Sequence, residues 1–138
     1  NSKLPTNMEK VEANLHKNKV VFCGALRYAP KSTSDSTAAK LANYLKTDFI
    51  NMTNIKGLYT ANPLTHKNAK FIPRQTWKEF EKRVLKIDFK AGQHFVLDQQ
   101  AAVLIRKHKI KTYIVEKELS NLDKILNGNK FIGTIIEG

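Results

Sequence analysis

Apolar positions along this chain switch repeatedly between helical and strand spacing, and the switches mark out its elements. Met8, Val11 and Leu15 recur at helical intervals behind Thr6-Asn-Met-Glu9, whose Thr and Glu have capping-box spacing, so a short helix is predicted over residues 6–17. Val20-Val-Phe-Cys-Gly24 is an unbroken apolar run closed by glycine and predicts a buried strand. Residues 25–34, with Pro30 and the hydroxyls of Ser32, Thr33 and Ser34, read as a loop. Asp35 then stands as an N-cap before a helix whose inner face is Ala38, Leu41, Ala42 and Leu45. A strand over residues 49–53 follows, then an irregular stretch containing Gly57, Pro63 and Pro73. Thr76-Trp-Lys-Glu79 repeats the capping box ahead of Phe80 and Val84, and Asp98 caps a helix over residues 99–107 with Ala101, Ala102, Leu104 and Ile105 inward. A strand over 110–115, a helix around 119–126 and a closing strand over 132–136 complete the pattern. Strands alternating with helices over short connections predict an α/β fold of three layers, α/β/α, in which a mainly parallel sheet carries helices on both faces.

The chain has 138 residues, 41% hydrophobic and 26% charged, which suits one globular domain and excludes a mainly disordered or collagen-like chain. The longest apolar run, residues 20–26, is too short to cross a bilayer, and the N-terminus lacks the order of a secretion signal, so no membrane is expected as a partner. One cysteine, Cys23, makes neither an internal disulfide nor a cysteine-based zinc site, and a cytoplasmic location is expected. The chain opens on Asn1 rather than Met, so a piece trimmed or cut from something longer is expected.

A net charge of +12 raises the prospect of a polyanionic partner. The excess is spread evenly: residues 1–69 hold 10 basic and 4 acidic side chains, and residues 70–138 hold 14 and 8. The densest cluster, Arg106, Lys107, His108, Lys109 and Lys111, falls where a helix gives way to a strand, which the helix dipole favours, and a phosphate-binding patch is the alternative. A generic basic α/β domain that binds RNA is one functional class this leaves open, although nucleic acid is not the expected partner.

Open parallel sheets bind ligands beyond the carboxyl ends of their strands, which directs attention to the loops after Gly24 and after Thr53. The first, Tyr28-Ala-Pro-Lys-Ser-Thr-Ser34, combines hydroxyls, a lysine and the amides of the next helix, a set suited to an anion and equally to a plain capping turn. The second is long, has Gly57 where the backbone is expected to need a positive φ, and sets Tyr59 beside side-chain amides.

The second loop, Thr53-Asn-Ile-Lys-Gly-Leu-Tyr-Thr-Ala-Asn-Pro63, closely resembles the Thr-Asn-Val-Asp-Gly-Val-Tyr-x-x-Asp-Pro segment of the amino-acid-kinase superfamily. Thr33-Ser-Asp-Ser-Thr-Ala-Ala39, Ala91-Gly-Gln-His-Phe-Val-Leu-Asp98 and Gly133-Thr-Ile-Ile-Glu137 resemble, in the same order, segments of the uridylate kinases, most of all the archaeal ones. Glutamate 5-kinases carry a segment like the second loop as well. The resemblance implies the C-terminal, ATP-binding half of an amino-acid-kinase domain over residues 1–138, with the acceptor-nucleotide loop at 24–35. It implies ATP contacts at Thr53, Asn54, Gly57, Tyr59 and Asn62, and UMP contacts at Tyr28, Ala29, Pro30, Lys31, Ser32, Thr33 and Ser34. It makes Asp35 the catalytic aspartate that orients lysines around the transferred phosphoryl group. The helix that begins at Asp98 is expected to be structural, and His94 to pack in the core or beside the base.

The implied reaction is ATP plus UMP to ADP plus UDP, in pyrimidine nucleotide biosynthesis, with Mg2+ entering alongside ATP and no protein-held metal. This chain departs from the family at Lys56 and Asn62, where aspartates stand in relatives, and its loop before Asp35 is about two residues longer. It also lacks the glycine-rich loop and basic clamp that the family's N-terminal half supplies, with no Gly-x-x-x-x-Gly-Lys-[Ser/Thr] and no Gly-x-Gly-x-x-Gly. The expected partner is therefore a complementary N-terminal half, as a second polypeptide covering the run at residues 20–24, in a whole enzyme that is a homo-oligomer. The fragment alone is expected to be inactive. A non-catalytic nucleotide-binding or regulatory module, or another kinase of the superfamily such as a glutamate 5-kinase, is the rival reading.

Overall fold

The computed structural model describes residues 3–26, 30, 32–86 and 96–138. Five helices lie among them: α1 (Met8–Leu15), α2 (Ser34–Leu45), α3 (Trp77–Leu85), α4 (Gln99–Lys107) and α5 (Leu119–Leu126). The first four start at a side chain that takes up an otherwise unpaired amide of the first turn. Asn7, rather than Thr6, caps α1 by accepting from Lys10 N–H at 2.9 Å. Thr33, rather than Asp35, caps α2: its hydroxyl accepts from Ser36 N–H at 3.0 Å, and the Ser36 hydroxyl accepts from Thr33 N–H at 3.1 Å. Thr33 has the extended backbone that a cap requires (φ −101°), which leaves Asp35 inside the first turn. Thr76 and Glu79 form the expected capping box of α3, and Asp98 caps α4 through Ala101 N–H at 2.8 Å.

Six strands accompany them: β1 (Phe49–Thr53), β2 (Leu58–Tyr59), β3 (Phe71–Ile72), β4 (Arg74–Gln75), β5 (Thr112–Glu116) and β6 (Thr134–Ile136). Four build one sheet in the order β1-β5-β6-β4. β1 runs parallel to β5, and β4 parallel to β6, while β5 and β6 are antiparallel, so the sheet is mixed and mainly parallel, as expected. The stretch expected to be irregular contains the antiparallel β2/β3 hairpin and the edge strand β4, all of two residues and below the length at which alternation can be read.

The core lies between α2, α3 and α4 on one side and the sheet on the other, with Ala39, Phe80, Ala101, Ala102, Ile105, Ile114 and Ile136 removed from solvent. The Trp77 indole N–H donates to the Ile110 carbonyl at 2.9 Å and ties the start of α3 to the chain entering β5. On the second face Val115 is buried beneath the chain returning from α5: a Cβ placed on Gly133 would stand 2.5 Å from Val115 Cγ1 and 2.8 Å from the Ile114 carbonyl oxygen. Tyr113 and Phe131 meet edge to face there, with ring centres 5.6 Å apart. The layers on both sides of the sheet give the α/β fold expected.

Residues 20–24 are the principal correction. Among the described residues no strand pairs with them, and Val20 and Phe22 are 66% and 79% exposed. An apolar run becomes a strand only where another backbone satisfies its amides and carbonyls, and none of the six strands lies alongside this one.

The hairpin is held to the sheet by one buried hydroxyl. Thr134 Oγ1 accepts from Leu58 N–H at 2.8 Å and donates to the Ile72 carbonyl at 2.6 Å, and Leu58 and Ile72 are themselves paired. Thr134→Val keeps the shape and removes both hydrogen bonds, so it should cost about 2 kcal/mol in urea unfolding; an unchanged midpoint would sink this account. Thr33→Ala should lower stability by about 1 kcal/mol through loss of the α2 cap. Asp35→Ala breaks no cap bond, and a larger loss in that variant than in Thr33→Ala would show that the cap has been misassigned.

Candidate functional site

The carboxyl ends of β1 and β5 lie level, Thr53 opposite Glu116, and the chain leaving β1 becomes the wall of a cavity of about 520 Å³. Asn54, Tyr59 and Asn62 line it from the loop and hairpin, Phe80, Arg83 and Val84 from α3, and Val96 and Leu97 from the chain entering α4. Each wall is fixed from behind. Tyr59 packs edge to face on Phe71, with ring centres 5.5 Å apart. Asn62 Oδ1 accepts from Leu64 N–H at 3.0 Å, which makes the turn that carries residues 62–66. Asn51, on β1, donates from Nδ2 to the Val96 carbonyl at 2.8 Å and holds the third wall.

Thr53 and Gly57 do not line the cavity; they support it. Thr53 ends β1 and donates from Oγ1 to Asn54 Oδ1 at 3.3 Å. Gly57 is buried and its φ is not positive, contrary to the expectation; a Cβ there would stand 2.5 Å from Thr134 Oγ1 and 3.0 Å from Thr134 N. Glycine is needed for close approach of the loop to β6 rather than for a turn.

Beside the cavity, one residue past Leu97, the N-termini of α2 and α4 meet in a polar cluster. Thr33 Oγ1 donates to Asp98 Oδ2, and Ser32 Oγ lies 3.2 Å from Ser36 Oγ. Asp35 is half-buried in the same place. Burial pushes its carboxyl above the usual aspartate range, the charge of Asp98 adds to the rise, and a hydrogen bond from Asp98 N–H opposes it. Of the expected acceptor-loop residues, Ser32, Thr33 and Ser34 stand at or next to the α2 N-terminus and Pro30 is exposed. Tyr28, Ala29 and Lys31 lie outside the described residues, as does His94.

Arg83 was not foreseen. The buried Gln75, with its carboxamide oxygen facing Arg83, accepts from Arg83 Nε at 2.9 Å and from Nη2 at 3.1 Å, which fixes a guanidinium at the cavity wall. The helical spacing of Phe80, Arg83 and Val84 on α3 was the available signal. The basic cluster at the end of α4 is partly spent inside the fold: Arg106 pairs with Glu81, and Lys111 lies 3.3 Å from Glu137 and over the Tyr113 ring. Among the described residues no three His, Cys, Asp or Glu side chains gather to hold a metal ion, and no helix is long and apolar enough to cross a membrane.

The chain is similar to the uridylate kinase of Methanococcus aeolicus, with 36% identity over 135 residues that cover 97% of this chain and 59% of that protein. The uridylate kinase of Archaeoglobus fulgidus is 35% identical over 135 residues, covering 97% and 60%; its crystal structure superposes with a TM-score of 0.83, at 32% identity over 97% of this chain and 59% of that one. The crystal structure of UMP kinase from Bacillus anthracis shares the fold with a TM-score of 0.77 at 19% identity, over 96% of this chain and 52% of that one. The chain thus spans about three-fifths of the length of its archaeal relatives. The amino acid kinase family matches residues 2–116, well over half of the chain and including the cavity's loop, the α2 and α4 N-termini and β5: this protein belongs to that family.

Proposed function

We propose that this chain is the C-terminal, nucleotide-binding portion of a uridylate kinase, which transfers the γ-phosphoryl group of ATP to UMP. The observation that carries the reading is a juxtaposition: the cavity lined by Asn54, Tyr59 and Asn62 adjoins the cluster of Thr33, Asp35 and Asp98, joined through Leu97–Asp98. Two sites side by side are what a direct transfer between two nucleotides requires. The archaeal uridylate kinases, similar over 97% of this chain, support the same substrates.

In this reading ATP occupies the cavity, its base against the apolar side of Tyr59, Phe80 and Val84 and its polar edges within reach of Asn54 and Asn62. UMP is held by the acceptor loop, with amides and hydroxyls at the α2 N-terminus on its phosphate. A UMP phosphate oxygen attacks the γ-phosphorus in line as the bond to the β–γ bridging oxygen breaks, giving UDP and ADP. Magnesium travels with the triphosphate and neutralises its charge; the chain's own residues bind and orient. Asp35 orients basic side chains belonging to a complementary N-terminal portion, a second polypeptide that covers the exposed Val20 and Phe22. The covered length of the relatives supports such a portion. The place of action is the cytoplasm, in keeping with the exposed, unpaired Cys23.

The test is an assay of ADP and UDP formation by the chain, by a complementary portion of a uridylate kinase, and by the two mixed. Turnover only in the mixture is expected. Turnover by the chain alone would overturn the need for a partner, and a mixed assembly that binds neither nucleotide would overturn the kinase reading. In the active assembly Tyr59→Ala should raise KM for ATP about tenfold, corresponding to about 1.4 kcal/mol of lost ring contact.

Asp35→Asn should lower kcat about a hundredfold and leave the fold at least as stable. A carboxyl whose folded pKa is raised contributes stability that is present below its unfolded pKa and is lost as pH rises through the folded value. At pH 7 the parent has lost that contribution and the asparagine variant has not, so the variant's Tm should be equal or higher, with the difference closing as pH falls below the usual aspartate range. Parent-like kcat in Asp35→Asn would remove Asp35 from the reaction.

A further inference from the structure

Asp98 does more than cap a helix. An N-cap needs one acceptor, and Asp98 Oδ1 supplies it to Ala101 N–H at 2.8 Å. Its second oxygen accepts from the hydroxyl of Thr33, which is itself the N-cap of α2 and the end of the acceptor loop. Its backbone N–H is hydrogen-bonded to the carboxylate of Asp35. The Thr33 hydroxyl has one proton, given to Asp98, and its lone pair is engaged by Ser36 N–H at 3.0 Å, so the link has a fixed donor and acceptor sense. Three contacts in three directions thus run from one residue to the α4 terminus, the α2 terminus and the aspartate between them.

We infer that Asp98 is a positioning residue for phosphoryl transfer, touching no substrate, which sets the direction of the Asp35 carboxylate and the end of the acceptor loop relative to the cavity that Leu97 lines. The inference rests on the kinase reading proposed above. Packing alone does not ask for this arrangement: serine or asparagine caps a helix about as well as aspartate, and an apolar residue beside Thr33 would fill the space without setting a second charge near Asp35. The repulsion between the two carboxylates is tolerated at a place where two helix N-termini supply partial positive charge.

The decisive variant is Asp98→Asn in the assembled enzyme, chain and complementary portion together. Asparagine keeps the α4 cap and the N–H to Asp35, but its amide nitrogen cannot accept the Thr33 proton and its side chain has no charge. A positioning role predicts that kcat falls about tenfold or more, KM for ATP stays within about twofold, and the unfolding midpoint is unchanged. A kcat within twofold of the parent overturns the proposal and leaves Asp98 as a cap. If Asp98→Asn does not fold, Asp98→Ser, which also caps and also lacks the second acceptor, is judged by the same split. If the parent assembly itself transfers no phosphoryl group, the kinase reading has failed. The link is then read from the 13C shift of the Asp35 carboxyl: titration moving to lower pH in Asp98→Asn supports it, and an unmoved titration overturns it.

Discussion

β5 is the constraint from which the rest follows. It is paired along both edges, to β1 and to β6, and enclosed on both faces, with Thr112 and Ile114 against the helical core and Val115 beneath the chain returning from α5. A slip of one residue would turn Tyr113 into the helical core and carry Ile114 to the opposite face, so its register is held by the side chains packed on both faces. From that register two consequences reach the site. Parallel pairing sets Thr53 opposite Glu116, which decides where the chain leaves the sheet to build the cavity wall. Antiparallel pairing sets Thr134 opposite Ile114, where its hydroxyl holds Leu58 and Ile72 and with them the hairpin that carries Tyr59. The glycines at 57 and 133 follow from the same crowding, because a Cβ on either would collide with atoms of the adjacent strands.

What was legible in the sequence was whatever depends on local chemistry. The capping box of α3, the Asp98 cap of α4 and the apolar spacing of α5 placed the starts of those helices within a residue or two, because a helix's first turn is made from neighbours in the chain. Asp35 was misread as a cap because aspartate and threonine both serve, and only the extended backbone at Thr33 distinguishes them. The antiparallel β5/β6 pair and the two-residue strands were not legible, since direction and pairing belong to contacts far apart in sequence. At the site, Asn54, Tyr59 and Asn62 stood out through the order of residues rather than through periodicity. Arg83 did not: helical spacing puts it beside Phe80 and Val84, but the buried Gln75 that fixes its guanidinium at the cavity wall lies on β4, outside its own helix.

Residues 20–24 show the same division between local and distant causes. Val20-Val-Phe-Cys has strong strand character, yet a strand's free energy comes from a neighbour's backbone and from burial of alternate side chains. With neither supplied by the six strands, Val20 and Phe22 stand in solvent. An apolar edge of this kind is a liability in isolation and an ordinary interior strand once another backbone lies beside it.

The polar cluster reverses the usual ranking of costs. Half-burying a carboxylate near a second one is unfavourable, and burial together with the charge of Asp98 pushes the Asp35 carboxyl above the usual aspartate range. The fold offsets part of it with features that a helix start offers: amides of the first turn, a threonine hydroxyl, and the positive ends of two helices whose N-caps touch. Those features would equally welcome a phosphate. A place arranged to tolerate one fixed negative charge is already arranged to receive another, and the carboxylates limit how tightly it is held. On the proposed kinase reading such a moderate hold suits the acceptor, because a phosphoryl acceptor that is bound too well in the ground state gains nothing in the transition state.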